Sequence, residues 1–346
     1  MNVKSFFSRH PKLRAAALVA AGALIAAALL KDFVLKQCVQ SAATDILGTT
    51  VKIDKFSLGL FSSRMRVRGL TIDNPAGFPE GRMLVMPEIT VKADIGQAIA
   101  GKFYFPLIII NLREAVVIRN KDGRLNIDAL KPVEAEVMRR KQAKAQPAAA
   151  PEETQKGSPP QTNISAINLK VDVLRLNVER VLFWDYTKEG PPVLEVFDLG
   201  LKDKVVTGIG SPADLAVKIV VETLKPTAIR QAGMFAATSL LGVGFLPAAA
   251  LGVIVAKDDA MKQTGLSPDR TMNEVLKLVE RLGKIKRADA KTGQVFALIY
   301  DCDVVFTVNK TRGGKAVLRI QVRKYFLPKA AVAAGLMYQF EEQINN

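Results

Sequence analysis

The chain has 346 residues, 49% of them apolar, enough to core one large domain or two ordinary ones. Its 49 Lys and Arg against 33 Asp and Glu leave a formal charge of +16, which speaks for anionic partners such as lipid headgroups or nucleic acid and says nothing about fold. Two cysteines, Cys38 and Cys302, exclude a disulfide scaffold and zinc-ligand spacing, and a single histidine, His10, removes the usual general acid–base residue.

The N-terminus carries the clearest pattern. Ala15 to Leu30 holds no polar or charged side chain. With Leu13 before it and Phe33, Val34 and Leu35 after it, the apolar zone approaches the ~20 residues that cross a bilayer. Arg14 and Lys31 at its edges can snorkel. Lys4, Arg9, Lys12 and Arg14 precede the run, so the positive-inside rule expects residues 1–12 in the cytoplasm. The expectation is a transmembrane anchor over 13–35, bounded by Ala15 and Leu30 in its uncharged part. The chain then reads as a single-pass inner-membrane protein with most of its length in the periplasm. A cleaved signal peptide is the alternative, against which stand the length of the run and the lack of a sharp A-x-A site. Leu35-Lys36-Gln37 is the wrong approach for a lipoprotein cysteine at Cys38.

Residues 44–131 alternate with a period of two, the mark of a sheet with one apolar face. Val51 and Ile53, Met65 and Val67, Ile89 and Val91, Ile108, Ile110 and Leu112, and Val116 and Ile118 mark the runs. Arg64, Arg66 and Arg68 share the face opposite Met65 and Val67. Asn74-Pro75-Ala76-Gly77 and Asp122-Gly123 supply turn chemistry, the latter suited to a hairpin before Leu125 and Ile127. Short spacings favour antiparallel pairing.

These residues also carry a resemblance. Leu47-Gly48 with Val51-Lys52-Ile53, and Phe56-Ser57-Leu58-Gly59-Leu60-Phe61, look like the opening of AsmA-like proteins. Gly69 to Phe78 resembles that family's L-x-I-x-N-P-x-G-F segment, with Asn74, Pro75, Gly77 and Phe78 as its turn. Asn120 to Leu130 resembles the stretch that closes the family's first module. The resemblance covers 44–131 and departs at Leu112-Arg113-Glu114. It implies a sheet curled into an open groove, related to bridge-like lipid transfer proteins, with links to phospholipid movement and outer-membrane homeostasis. Val51, Ile53, Ile89, Val91 and Ile110 would then line a lipid groove. The same alternation also suits an ordinary packed core, and periodicity alone does not separate the two. A groove of ~10 to 12 strands would extend only roughly 50–60 Å.

Residues 132–163 begin as a charged helical run and continue as a Pro- and Ala-rich linker unable to bury a core. A second β module follows over 164–231, where Leu174, Leu176 and Val178 break the phase of the preceding alternation, as a bulge or bend does. Residues 232–256 carry no charge and four glycines. They suit a membrane span, or a buried or re-entrant helical segment. Residues 257–346 read as a helix over Met272 to Ile285, strands near 295–308 and 316–326, and a C-terminal helix from Ala330.

The fold class expected is mainly β with helices (α+β): a transmembrane helix, a curled antiparallel sheet forming an open groove, and C-terminal helices. No phosphate loop or nucleophile elbow occurs. Asp301-Cys302-Asp303 lacks the further ligands of a calcium loop. No enzyme, cofactor or metal is expected. Partners expected are phospholipid and the anionic membrane surface, with envelope proteins or self-association. Nucleic acid is not expected, because the positive charge is dispersed and not interleaved with aromatics. The function read is phospholipid binding or transfer in support of outer-membrane assembly. The alternative is a non-catalytic envelope scaffold without a groove.

Overall fold

The computed structural model describes residues 30–59, 62–94, 96–97, 100–135, 138, 169–230, 259–325 and 327–345. The protein is mixed α+β, built on two sheets. The first holds β1 (Val51–Gly59), β2 (Arg64–Asp73), β3 (Arg82–Lys92), β4 (Phe103–Arg119), β5 (Leu169–Asp185) and β6 (Val193–Val206) in that order. All neighbours are antiparallel except β4 and β5, which run parallel along their length. The second sheet follows the order β12 (Leu327–Pro328), β11 (Ala316–Lys324), β10 (Cys302–Lys310), β9 (Gln294–Ile299), β8 (Gly283–Asp289), with β7 (Asp259–Gln263) also paired to β11.

Helix α1, residues 30–47, lies across the start of the first sheet. Leu35 and Val39 pack on Ile53, Phe56 and Val67, and Ala43 and Leu47 join the main core. The helix also caps the edge strand. Thr44 Oγ1 accepts from the Val51 N–H, Gln40 Oε1 from the Ile53 N–H and Asp32 Oδ1 from the Leu58 N–H, so donors that would invite another strand are taken. Helix α2 (Pro212–Arg230) and the turn 125–133 close the rest of that face. Val220 and Leu224 from α2, and Leu125, Ile127, Leu130 and Val133 from the turn, are buried against it.

The buried positions change phase along the strands. Leu112 and Ala115, and Val178 and Val181, face one core, and on β2 Val67 packs with Ile53 and Phe56 under α1 while Ile72 joins the main core. On β2 the shift falls at Gly69, whose φ is +63° and whose Cβ would lie 2.0 Å from Asp54 Oδ2. Only glycine fits there. The resulting bend splits the outer face. One half is apolar and covered by α4 (Ala330–Asn345), while the other stays open.

In the second sheet, Val295, Ala297, Ile299, Phe306, Leu318 and Ile320 pack under α3 (Pro268–Leu282) and α4. Ser267 caps α3, its hydroxyl accepting from the Arg270 N–H, and Pro268 opens the helix. Val275, Leu278, Val279 and Leu282 make the buried stripe, as their spacing predicts.

Several expectations need correction. The architecture is not a transmembrane helix followed by one curled antiparallel sheet forming an open groove. It is two sheets, one with a parallel seam, and no closed barrel. The physical reason is that one apolar face per sheet was the only thing alternation specified, and helices cover those faces. Among the described residues no helix is long and apolar enough to cross a membrane. Residues 13–29 of the expected anchor, Ala15 included, lie outside the described residues. Leu30, which is exposed, and the rest of 30–35 begin the sheet-packing helix α1. There Lys31 donates to the Leu58 carbonyl. A single-pass inner-membrane anchor is therefore not supported, and the periplasmic placement resting on it loses its basis. The segments 139–168 and 232–256 also lie outside the described residues.

The Asp122-Gly123 turn folds the chain back as expected, with Leu125 bridging antiparallel to Arg119, but no full strand follows. Beyond it, Asn126–Ala129 forms a 3-10 turn.

Candidate functional site

The five positions expected to line a groove lie in the core. Val51 is 1% exposed, Ile53 3%, Val91 4% and Ile110 3%, while Ile89 is half-buried. Val91 pairs with Met65 on one side and Ile108 on the other, and Ile89 with Val67 and Ile110. Between the sheet and α2 there remains a void of ≈ 10 Å³ lined by Leu84, Val117, Ile127, Ile219 and Leu224. A single water needs about that much. An acyl chain needs a continuous trough, and these walls are filled by protein.

The motif turn is a structural lock. Gly77 adopts φ +86°. Pro75 is buried and Phe78 half-buried. Asn74 Nδ2 donates to the Pro79 carbonyl, and Thr49 Oγ1 donates to the Asp73 and Asn74 carbonyls. Asn126, fully buried, completes the lock from 52 residues away. Its Nδ2 donates to Asn74 Oδ1 at 2.8 Å and to the Val116 carbonyl at 2.9 Å, and its Oδ1 accepts from the Ile118 N–H. Residues 69–78 and 120–130 thus meet through one satisfied asparagine. Such a network specifies geometry and has no reactive group.

Titratable groups gather where α4 meets the first sheet. Tyr338 packs near Leu182, Leu194 and Val196. Burial first, then the Glu114 and Glu342 carboxylates, push its phenol up to about 12. Glu195 on β6 is pushed up to about 7, chiefly by burial; Lys329 and Arg119 oppose this and Asp185 adds to it. Its Oε2 makes no hydrogen bond among the described residues. Burial also raises Asp128, to about 6. Because burial without a hydrogen-bond partner for Glu195 Oε2 among the described residues causes it, the shift is a folding cost.

The sign follows from linkage. Between pH 4.5 and 7 the folded state keeps a proton that the unfolded state has lost, so stability falls as pH rises through that window and levels off above it. The carboxyl moves from 4.5 to about 7, which is on the order of 3 kcal/mol. Glu195→Gln should raise the melting temperature at pH 8 by several degrees and leave it nearly unchanged at pH 4. Equal shifts at both pH values in calorimetry would rule out this carboxyl as the source.

The open half of the outer face is basic. Cross-strand register aligns Lys55, Arg68, Glu88, Asn111 and Asn177 in one row. Ser57, Arg66, Thr90, Ile109 and Arg175 form the next, and Arg64, Lys92, Leu107 and Val173 the third. Glu88 faces both Arg66 at 3.1 Å and Arg68 at 3.7 Å. The arginine triplet was legible in sequence as one face. Lys92 and Arg175 were not, because strand register alone brings them beside it.

Asp301 and Tyr300 form the tight β9–β10 turn, with φ of 56° and 54°, and Asp303 pairs with Lys286 at 2.6 Å. That acidic cluster is turn chemistry, and among the described residues no group of carboxylates, thiols and imidazoles is placed to hold a metal. Cys38 is exposed and Cys302 buried, both as free thiols.

Fold and surface together define a two-sheet α+β protein with helix-covered inner faces and one open basic face. Compared with models of protein families, with curated proteins and with solved structures, the chain matches none.

Proposed function

We propose that the protein is a non-catalytic interaction scaffold whose basic surface binds anionic partners. The observation that carries this reading is the burial of Val51, Ile53, Val91 and Ile110 beneath α1, α2 and the 125–133 turn. A lipid conduit exposes such a row, and a scaffold uses it to hold its shape. The net charge of +16 supports an acidic partner. The resemblance of 44–131 to AsmA-like proteins enters as a shared first module, its turn locked by Asn74 and Asn126, without the open groove.

Native mass spectrometry of the purified full chain tests this. The expected spectrum is the bare protein mass. A stoichiometric phospholipid that survives gentle activation would replace the scaffold reading with a lipid-carrying one.

A further inference from the structure

The open half of the first sheet's outer face combines two features. Its three rows hold six cations (Lys55, Arg64, Arg66, Arg68, Lys92 and Arg175) and one carboxylate, Glu88. Five of the cations lie on β1 to β3, and aliphatic side chains lie beside them on β4 to β6. Leu107, Ile109 and Val173 are half-buried, and Val205, paired with Arg175, is 53% exposed. Residues two apart on a strand lie about 6.8 Å from each other, so Arg64, Arg66 and Arg68 leave β2 along roughly 14 Å of strand, with Arg66 and Arg68 reaching Glu88.

We infer that this face docks on an anionic phospholipid bilayer. The inference rests on the scaffold reading and names its partner. Arginine stems lie along apolar surface while their heads reach phosphates. The aliphatic side on β4 to β6 enters the headgroup zone while the cations on β1 to β3 meet the phosphates beside it. A second copy of the chain is a poor occupant, because a self-complementary pairing sets this cationic face against itself. Single-stranded nucleic acid is a poor occupant too. Sheet platforms for it stack bases on exposed rings, and the three rows carry none. Tyr104, beyond their end, is engaged: its hydroxyl donates to Asp172 and the Lys170 ammonium lies 5.5 Å from its ring.

The test uses the full chain with Cys38→Ser, so that a single introduced cysteine takes an environment-sensitive fluorophore while Cys302 stays buried. One label goes at Thr90→Cys in the middle row. A control label goes at Thr307→Cys on the second sheet's outer face. Vesicles with about a third phosphatidylglycerol should shift the Thr90 label to the blue and leave the Thr307 label unchanged. Raising salt toward 0.5 M should reverse the shift, since the Debye length falls below about 5 Å.

Arg66→Glu with Arg68→Glu should weaken the apparent affinity at least about tenfold, with unchanged circular dichroism. If that pair fails to fold, the salt titration of the parent protein decides. An unchanged Thr90 label on protein that sediments with the vesicles overturns the inference, as does an equal shift on pure phosphatidylcholine at high salt. A shift with oligothymidylate or polyglutamate and none with vesicles overturns it in favour of that polyanion. These failures leave the scaffold reading standing if native mass spectrometry shows bare protein. A retained phospholipid there removes that reading separately.

Discussion

Val91→Asp is expected to abolish cooperative folding. Val91 is 4% exposed on β3, hydrogen-bonded between β2 and β4, and it belongs to the main core. An aspartate there either keeps an unpaired charge in the core or takes up a proton and leaves a carboxyl without partners. Either outcome, with the lost valine packing, costs on the order of 4–5 kcal/mol. That approaches the whole stability of an ordinary domain, about 5–15 kcal/mol. Urea titration followed by circular dichroism should show no cooperative transition, or one shifted far toward zero denaturant. Val91→Ala, which only removes volume, should keep a transition with a smaller loss. A Val91→Asp protein with an unchanged midpoint would mean that this wall is wet, as a groove requires.

Gly335→Ala is expected to destabilise as well, with a sign opposite to the helix rule. In an exposed helix interior, alanine gains about 1 kcal/mol over glycine. At Gly335 the added Cβ would lie 2.0 Å from the Leu194 carbonyl oxygen and 2.8 Å from its carbon. Those are backbone atoms of β6, so no side chain can swing aside. Either α4 lifts from β6 or the strand distorts, and overpacking of this kind costs typically 1–3 kcal/mol or more. α4 is also buried on the second sheet through Val332, Ala333, Leu336 and Phe340. One methyl group thus strains both of its contacts. A two-step thermal unfolding trace is the expected signature, with the steps separated further than in the parent. A single transition at higher temperature would show that the helix has room.

How much of this was legible in the sequence depended on which physical signal each element carries. Alternation at Val51 and Ile53, or Val304 and Phe306, announces strands, and both pairs are buried on strands. The same alternation says only that one face is apolar. It cannot tell a lipid from a helix as the cover, which is why the groove reading failed to anticipate α1 and α2. β8 escaped notice because Gly283–Asp289 is an edge strand with one exposed aliphatic, Ile285, among lysines and an arginine. Charges that protect an edge also disguise it as a loop. The phase change at Leu174 was visible as a bend. Glu195 was not legible as a buried group. In Val193-Leu194-Glu195-Val196 it reads as the outward polar partner of an ordinary strand, and its burial comes with the seating of α4 and the nearby Lys329.

The parallel seam between β4 and β5 has a consequence for the order of assembly. β1 to β4 form a meander joined by short links, and β5 and β6 form a hairpin of their own. Each can zip locally. The seam joins Phe103–Arg119 to Leu169–Asp185, and every pair in it, from Phe103↔Leu169 to Arg119↔Asp185, lies 66 residues apart, so a loop of that length must close before any of its hydrogen bonds form. Non-local pairing of this kind is the slow step of a sheet. Until it completes, the β4 and β5 edges stand open side by side, and a second chain in the same state offers the matching edge. The first sheet is thus most exposed to strand exchange between molecules while this middle seam is unmade, even though α1 guards its outer edge once folded.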